Sequence, residues 1–489
     1  MVLQTPAWKP WVHASALGLA IGISFEMFIR GSPWGLQFPL WVLLFIAGLR
    51  WIGRAGDAQG KPRVSWWELQ LTFFASWVAI RDNALLTAMN VGICLWLAAV
   101  HCSQYPSFAP PMTSLAALVW RPLKLYVTAP FTAIKALNVG SAHPPSRVFR
   151  QYGGAMLRSL FFMLPVGWLF VGLLNSADPS FGNALTQFFT PSVQRDLSVS
   201  PFFITAVTGL AMGLALQAHR KIDNESEPAE PVLTFVGYFE AMATLTLVNG
   251  LFTLFTFIQT HRALFDDALE SSETYASRAR GGFFQLLVVC ALTFALILFF
   301  RRYTEVSSRA RDKMLKVQFS LMVGLTVLIL VSALARISAY EDAYGLTEGR
   351  LFSHVFAVFL GAGLGWCAVT LWWKSPWFAG GLAAIASAYV AAMNVLNPDA
   401  MIARHHFEQP RMMNTDVRYI LSLSKDAVPY LLHSQSFRNA ISLEKWNEWC
   451  ALPNNEEPIW SFNLARYRAR REKSLNLCPD PTYTLRGNP

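Results

Sequence analysis

Eleven stretches of the chain are apolar over about the width of a bilayer, and the charges between them alternate in bias. A helix needs roughly 20 consecutive apolar residues to cross ~30 Å of hydrocarbon. The candidate spans are 11–30, 34–51, 64–80, 82–101, 155–174, 200–219, 232–260, 281–300, 314–337, 350–372 and 376–396. Within lipid no water satisfies backbone N–H and C=O groups, so each span must close its own hydrogen bonds as a helix. The expected fold class is all-α: a polytopic transmembrane helical bundle of about eleven spans, with a small helical C-terminal extracytoplasmic tail.

Only 14% of the 489 residues are charged, against 54% hydrophobic, whereas a soluble domain carries about 25% charged residues. The net charge of +10 does not mark a nucleic-acid binder, because the basic residues are not gathered on one face. They occupy alternate loops, as the positive-inside rule expects. Arg54, Lys61 and Arg63 lie in loop 52–63, and Arg121, Lys124, Lys135, Arg147 and Arg150 in loop 102–154. Arg220 and Lys221 open loop 220–231, loop 301–313 carries Arg301, Arg302, Arg309, Arg311 and Lys313, and the turn 373–375 adds Lys374. The intervening loops are acidic or poor in basic residues, with Asp266, Asp267, Glu270 and Glu273 in one and Glu341, Asp342 and Glu348 in another. This parity places the N-terminus in the cytoplasm and the tail outside. The partner that composition names is the lipid bilayer; no protein partner is indicated.

The apolar run after Pro10 ends at Arg30 without a small-residue cleavage site, so it reads as a retained first span and not a signal peptide. Residues 1–101 form a four-span unit of two hairpins, the second joined by Arg81-Asp82-Asn83. Residues 102–154 are a cytoplasmic connection. Its segment 112–138 interleaves Trp120, Leu123, Tyr126 and Phe131 with Arg121, Lys124 and Lys135, the pattern of an interfacial helix broken at Pro122 and Pro130. Residues 155–396 form a seven-span core and 397–489 the extracytoplasmic tail. Cys94, Cys102, Cys290 and Cys367 lie in or beside spans and read as small core residues. Cys450 and Cys478 fall in the tail, where an oxidising compartment favours a disulfide over two free thiols.

Ionisable groups inside spans are the first functional candidates. Glu26 shares a face with Gly18 and Gly22, yet stands four residues before Arg30, which favours a place at the outer interface. Glu240 falls nine residues into its span, flanked by Gly237 and Thr244 on one face. It is either a proton or substrate site or a structural partner of an arginine. More telling is where the other polar residues collect. Tyr275, Arg278 and Arg280, then Gln285, lie at the outer end of span eight. Arg336 and Tyr340 close span nine, and Tyr344 and Arg350 lead into span ten. Asn397, Asp399 and Arg404 end span eleven. Four helix ends thus bring Arg, Tyr, Asn and Asp to one membrane face, where arginine forks can hold a phosphate or carboxylate. The alternative is that these charges pair among themselves and lock the loops. His405, His406 and Glu408 lack the spacing of two imidazoles on one helical face, so no metal is expected. No phosphate-binding loop, dinucleotide fingerprint or nucleophile elbow occurs, so no cofactor is implied and nothing marks an enzyme.

Several of these segments also carry a resemblance. Tyr275-Ala276 with Arg278, Gly282-Phe283-Phe284-Gln285-Leu286, and Tyr344-Gly345-Leu346-Thr347 with Arg350 are three of its motifs. Asn397-Pro398-Asp399-Ala400 with Ala403-Arg404, and Asp426-Ala427-Val428-Pro429, complete it. Together, over roughly 150–470, they resemble an uncharacterised bacterial inner-membrane family, a domain of unknown function of the four-one-seven-three type, akin to the four-one-five-three type. The pattern has an Asn shortly after the Arg404 position, where this chain has His405 and His406. The resemblance implies a multi-pass protein of the bacterial inner membrane and no reaction. The expected function is binding or transport of an anionic lipid headgroup or solute at the outer-face Arg/Tyr/Asp pocket. The alternatives are a membrane-embedded transferase on a lipid-linked substrate, with Asp399 or Glu240 as base, and an envelope scaffold or sensor subunit.

Overall fold

The computed structural model describes residues 10–30, 32–55, 65–104, 123–130, 132–133, 200–219, 237–265, 272–304, 306, 308–373, 377–408, 417–450 and 458–474. Every regular element among these residues is a helix, with no strand. The helices are α1 (Pro10–Ser24, continued by a wider turn Phe25–Ile29), α2 (Gln37–Ala55), α3 (Trp66–Ile80), α4 (Ala84–Gln104), α5 (Ser200–His219) and α6 (Tyr238–Phe265). Then come α7 (Ser272–Tyr303), α8 (Arg309–Tyr344), α9 (Glu348–Trp372), α10 (Phe378–Leu396) and α11 (Pro398–Glu408). Five short helices end the described chain: α12 (Val417–Leu421), α13 (Val428–His433), α14 (Gln435–Ala440), α15 (Leu443–Cys450) and α16 (Leu464–Glu472).

Among the described residues, six helical stretches are long and apolar enough to cross a membrane: Ala84–Cys102, Tyr238–Phe257, Leu286–Tyr303, Arg309–Asp342, Glu348–Trp372 and Phe378–Leu396. The apolar stretches His13–Ile29, Gln37–Ile52 and Phe203–Gln217 are shorter, and α3 has 15 residues. The expected span 155–174 lies outside the described residues. Large apolar side chains such as Phe239, Leu247, Leu251, Phe257, Leu292 and Val331 stand exposed along these helices. A water-soluble monomer seldom presents so extended an apolar surface; hydrocarbon would cover it.

Sequence sets where helices begin and turn. Ser65 and Glu68 make a capping box at the start of α3, satisfying two otherwise orphaned N–H groups. Ser308 caps α8, accepting from the Arg311 N–H at 3.3 Å. At the end of α10, Asn397 takes the left-handed conformation (φ 53°), and Pro398 then opens α11 with the φ a first helical turn needs. Helix α1 packs against α5 through Gly18 and Gly22: a Cβ on Gly18 would lie 2.7 Å from the Thr208 carbonyl oxygen. This is the close approach that small residues permit. Glu26 pairs with Arg30 at 2.7 Å, and Arg30 lies 4.7 Å over the Phe203 ring.

The N-terminal helices join the core through α4 and α10. Asn90 and Asn394, both fully buried, exchange two amide hydrogen bonds of 2.8 Å. Segment 123–130 is helical. It exposes Leu123 and Val127 and buries Ala129, and a Cβ on Gly213 of α5 would strike the Ala129 carbonyl. The segment therefore packs on the bundle as well as presenting an apolar side. Helices α11 to α16 share a core of Ile402, Ile420, Val428, Leu431, Leu432, Phe437, Trp446 and Ala469, which also takes in Leu346 and Leu351 at the start of α9. The described residues after 397 are thus packed across one end of the bundle.

Candidate functional site

The turn between α3 and α4 is Arg81-Asp82-Asn83, and all three side chains are used. Arg81 donates Nε–H to the Asn394 carbonyl at 2.8 Å and pairs with Asp426 at 3.1 Å. Its guanidinium lies 5.4 Å over the Trp77 ring. Asp426 also accepts the Asp82 backbone N–H at 2.7 Å. The Asp82 carboxylate pairs with Arg466 of α16 at 2.7 Å and accepts the Lys425 N–H at 3.4 Å. Asn83 Oδ1 accepts from Leu86 N–H at 2.9 Å, capping α4. Its Nδ2 donates to Glu348 at 2.9 Å and to Asp399 at 3.0 Å. Asp399, buried, also accepts the Ser424 N–H at 3.1 Å.

The tail closes over this turn. Asn463 Oδ1 accepts from Ala465 N–H at 3.0 Å and caps α16. Its Nδ2 donates to the carbonyls of Val78 and Arg81 at 3.0 and 2.8 Å, satisfying acceptors that the end of α3 would otherwise leave open. Arg466 donates further to the Trp34 and Ser461 carbonyls, at 2.8 and 2.7 Å. Charges taken out of water must be paired and hydrogen-bonded to be tolerated, and those of this turn are.

Beside the network lies a cavity of about 220 Å³. Arg81, Lys425 and Arg468 bring positive charge to its lining, Asp426 brings negative charge, and Asn397, Pro429 and Tyr430 complete its wall. Arg81 is committed to Asp426, while Lys425 and Arg468 are exposed. Asn397 Oδ1 is buried with no hydrogen-bond partner among the described residues, a costly state for a polar atom unless something donates to it. Burial pushes the Asp426 carboxyl above its usual range; the Asp82 N–H and Arg81 oppose this and Asp399 reinforces it. Burial likewise raises the Tyr419 phenol, whose oxygen accepts the Glu348 N–H at 2.8 Å. Lys473 is lowered to about 8, by burial first and by the charge of Lys425 second.

Of the residues singled out in the sequence, Asn397 and Asp399 stand at this network. Arg350 lies 4.2 Å over the Tyr340 ring and donates to the Gly345 carbonyl. Arg336 is half-buried on α8 and Arg404 is exposed on α11. Tyr275, Arg278 and Gln285 fall on α7, and Tyr344 ends α8; their side chains lie outside the described residues. Glu240, expected nine residues into its span, stands near the start of a helix. Helix α6 begins at Tyr238, so Glu240 sits exposed in its first turn. Cys450 is disulfide-bonded and Cys94, Cys102, Cys290 and Cys367 are free and buried; Cys478 lies outside the described residues. No group of three metal-ligating side chains occurs among the described residues. Sequence reading passed over Arg81, Asp82, Asn83, Lys425, Asn463, Arg466 and Arg468. The available signal was three consecutive hydrogen-bonding residues in the tightest loop between two apolar runs.

Long apolar helices with large exposed apolar side chains fit an integral membrane protein of unassigned activity. A family model described as a domain of unknown function (DUF4153) matches residues 69–433. The chain belongs to that family. The match begins in α3 and ends in α13, earlier at both ends than the stretch of resemblance read from the motifs. It contains Arg81, Asp82, Asn83, Asn397, Asp399, Lys425 and Asp426, whereas Asn463, Arg466 and Arg468 follow it. No curated protein matches the chain, and no solved structure does.

Proposed function

We propose that the chain binds a small anionic group, as part of a lipid headgroup or a solute, in the cavity between the α3–α4 turn and the tail. The carrying observation is the lining itself. Three cations face one carboxylate, and beside them Asn397 keeps a buried oxygen with no donor among the described residues. A phosphate or carboxylate answers the surplus positive charge, and a hydroxyl or ammonium on the same ligand answers Asn397. The volume of about 220 Å³ is below the ~300–1,000 Å³ of pockets for drug-sized ligands, so the group it takes is compact. The transferase alternative draws less support. Asp399 is held by two donors, and Glu240 is exposed in the first turn of its helix.

The surrounding proposal is a bacterial inner-membrane protein of about eleven spans, with its N-terminus cytoplasmic, its tail and cavity outside, and Cys450 bridged to Cys478. Alkaline phosphatase fused after Pro489 is then active and a fusion after Arg309 silent; the reverse overturns the orientation. For the cavity, thermal unfolding of the full chain in detergent is followed with inorganic phosphate, glycerol 3-phosphate and phosphatidylglycerol as probes. A ligand at about 100 times its Kd stabilises by ~2.7 kcal/mol. At least one probe should raise the midpoint, and Lys425→Ala with Arg468→Ala should abolish the rise without moving the unliganded midpoint. Absence of any rise, or its persistence in the double variant, refutes the site.

A further inference from the structure

The segment 458–474 carries a second surface that the cavity does not use. Ile459 is 86% exposed, and Trp460, Phe462 and Tyr467 are exposed beside it. These side chains are held in place. The Leu36 N–H donates to the Phe462 carbonyl at 2.8 Å, and Arg466 reaches the Trp34 carbonyl at 2.8 Å. Gly35 admits the Ser461 backbone so closely that a Cβ there would collide with it. Trp460 packs edge-on against Phe28 at 5.8 Å, and Phe462 lies 5.6 Å from Tyr467. Phe28 and Met27 are themselves exposed where α1 ends. The patch is therefore continuous with the apolar side of α1.

Its height relative to a bilayer follows from the tryptophans. Trp34 stands exposed before α2, and Trp51 stands exposed near that helix's other end. The fourteen residues from Gln37 to Trp51 rise ~21 Å at 1.5 Å each, and Trp34 stands a further turn beyond the start of the helix. Trp66 is exposed where α3 begins, and Trp372, Trp373 and Trp377 are exposed at the turn between α9 and α10. Tryptophans grouped at both ends of apolar helices mark the two membrane–water interfaces. Trp460 and Phe462, tied to Phe28 and the 34–36 turn, stand at one of those two levels. Arg471, exposed on α16 one turn beyond the cavity residue Arg468, adds positive charge that draws anionic phospholipid.

We propose that segment 458–474 is an interfacial anchor. Ile459, Trp460, Phe462 and Tyr467 enter the headgroup–acyl boundary of the leaflet at this end of the bundle, and the basic face of α16 lies at the level of the phosphates. The occupant of the patch is phospholipid, and the anchor holds the tail down over the α3–α4 turn.

The test places a spin label on Ile459→Cys and, separately, on Lys445→Cys of α15 in the full chain, reconstituted in nanodiscs of phosphatidylcholine with phosphatidylglycerol. The unsubstituted chain supplies the background from native thiols. Collisions with oxygen, which concentrates in lipid, and with a water-soluble nickel chelate are then compared. The label at 459 should favour oxygen and exclude nickel, while that at 445 does the opposite. Nickel reaching 459 as readily as 445 overturns the anchor and leaves the patch to a protein partner. Thiol-dye melting of both variants, matched to the parent, assures that the folded chain is being read.

Discussion

Replacing Arg81 by Met isolates what the α3–α4 turn contributes. The Arg81 and Asp426 side chains are 13% and 3% exposed, so the substitution removes one partner of a buried ion pair. Such losses cost about 3–5 kcal/mol, because the remaining charge stays buried and unpaired. Asp426 keeps the Asp82 N–H at 2.7 Å and the Ser424 hydroxyl at 3.4 Å, and it can also take up a proton. From the ordinary carboxyl value of 3.8, protonation near neutral pH costs at most about 4.4 kcal/mol, at ~1.36 kcal/mol per unit. Burial has already raised the group, so the ceiling lies lower. The lost bond to the Asn394 carbonyl adds about 1 kcal/mol. The total is about 4–5 kcal/mol near neutral pH.

The same account fixes the pH dependence. A carboxyl raised in the folded state holds its proton more tightly there than in the unfolded chain. That contribution is therefore full below the unfolded value of 3.8 and is lost as pH rises from there through the folded pKa. Without Arg81 that window moves up toward neutrality, so the loss should shrink by up to ~1.36 kcal/mol for each unit of acidification. The chain carries its own reporters: Cys94, Cys102, Cys290 and Cys367 are free and buried, and a thiol-reactive dye reads their exposure as denaturant is raised in micelles. Adding Asp426→Asn to Arg81→Met should recover most of the loss. A loss under about 1 kcal/mol, or one unchanged between neutral pH and a pH of about 5, would refute the reasoning.

Gly213→Ala should destabilise by about 1–3 kcal/mol, since its Cβ meets Ala129 backbone and not a movable side chain. Gly209→Ala, on the same helix with open space around it, should be neutral or stabilising by up to about 1 kcal/mol; equal losses in dye melting would dismiss the packing argument. Asn397→Val should cost about 1–2 kcal/mol because a β-branched residue resists φ 53°, while Asn397→Gly should not; similar midpoints for the two would count against a backbone cause. Lys473 is lowered to about 8, so its charged form burdens the fold below that pH and the burden lifts above it. Lys473→Met should accordingly raise the unfolding midpoint near neutrality, with the gain fading as pH passes about 8; a gain that grows with pH would contradict this.

The helices were legible in the sequence because a bilayer asks one thing of a chain, an apolar run of sufficient length, and composition answers it directly. Their ends were less so. Glu240 was read as central because the apolar run begins before it, whereas α6 starts only at Tyr238. Hydropathy reports the environment of a residue and not where the chain begins to turn. The network was legible in part. Asn397 and Asp399 stood out as polar residues at a helix end, but their partners could not, since Asn83 lies 316 residues from Asp399. No local pattern encodes such a pairing. Arginines drew attention by charge, yet Arg350 is spent on Tyr340 and the Gly345 carbonyl. At this network the guanidinium that meets a buried carboxylate belongs to Arg81, a residue that looked like punctuation between two spans.

That turn explains why separate stretches of the chain act as one unit at this end of the bundle. Arg81 binds the end of α10 and the loop before α13; Asn83 binds the starts of α9 and α11. Asp82 and the carbonyls at the end of α3 are then claimed by Arg466 and Asn463, which follow the matched family region. The family region supplies Arg81, Asn397, Lys425 and Asp426 to the cavity, and α16 adds Arg468. A tail held only by its own core could drift from the bundle. A tail whose N-cap residue also satisfies the carbonyls at the end of α3 cannot leave without exposing them. The geometry of the cavity is therefore set by backbone valence at the end of α3, and the charges lining it are carried on a frame those bonds make rigid.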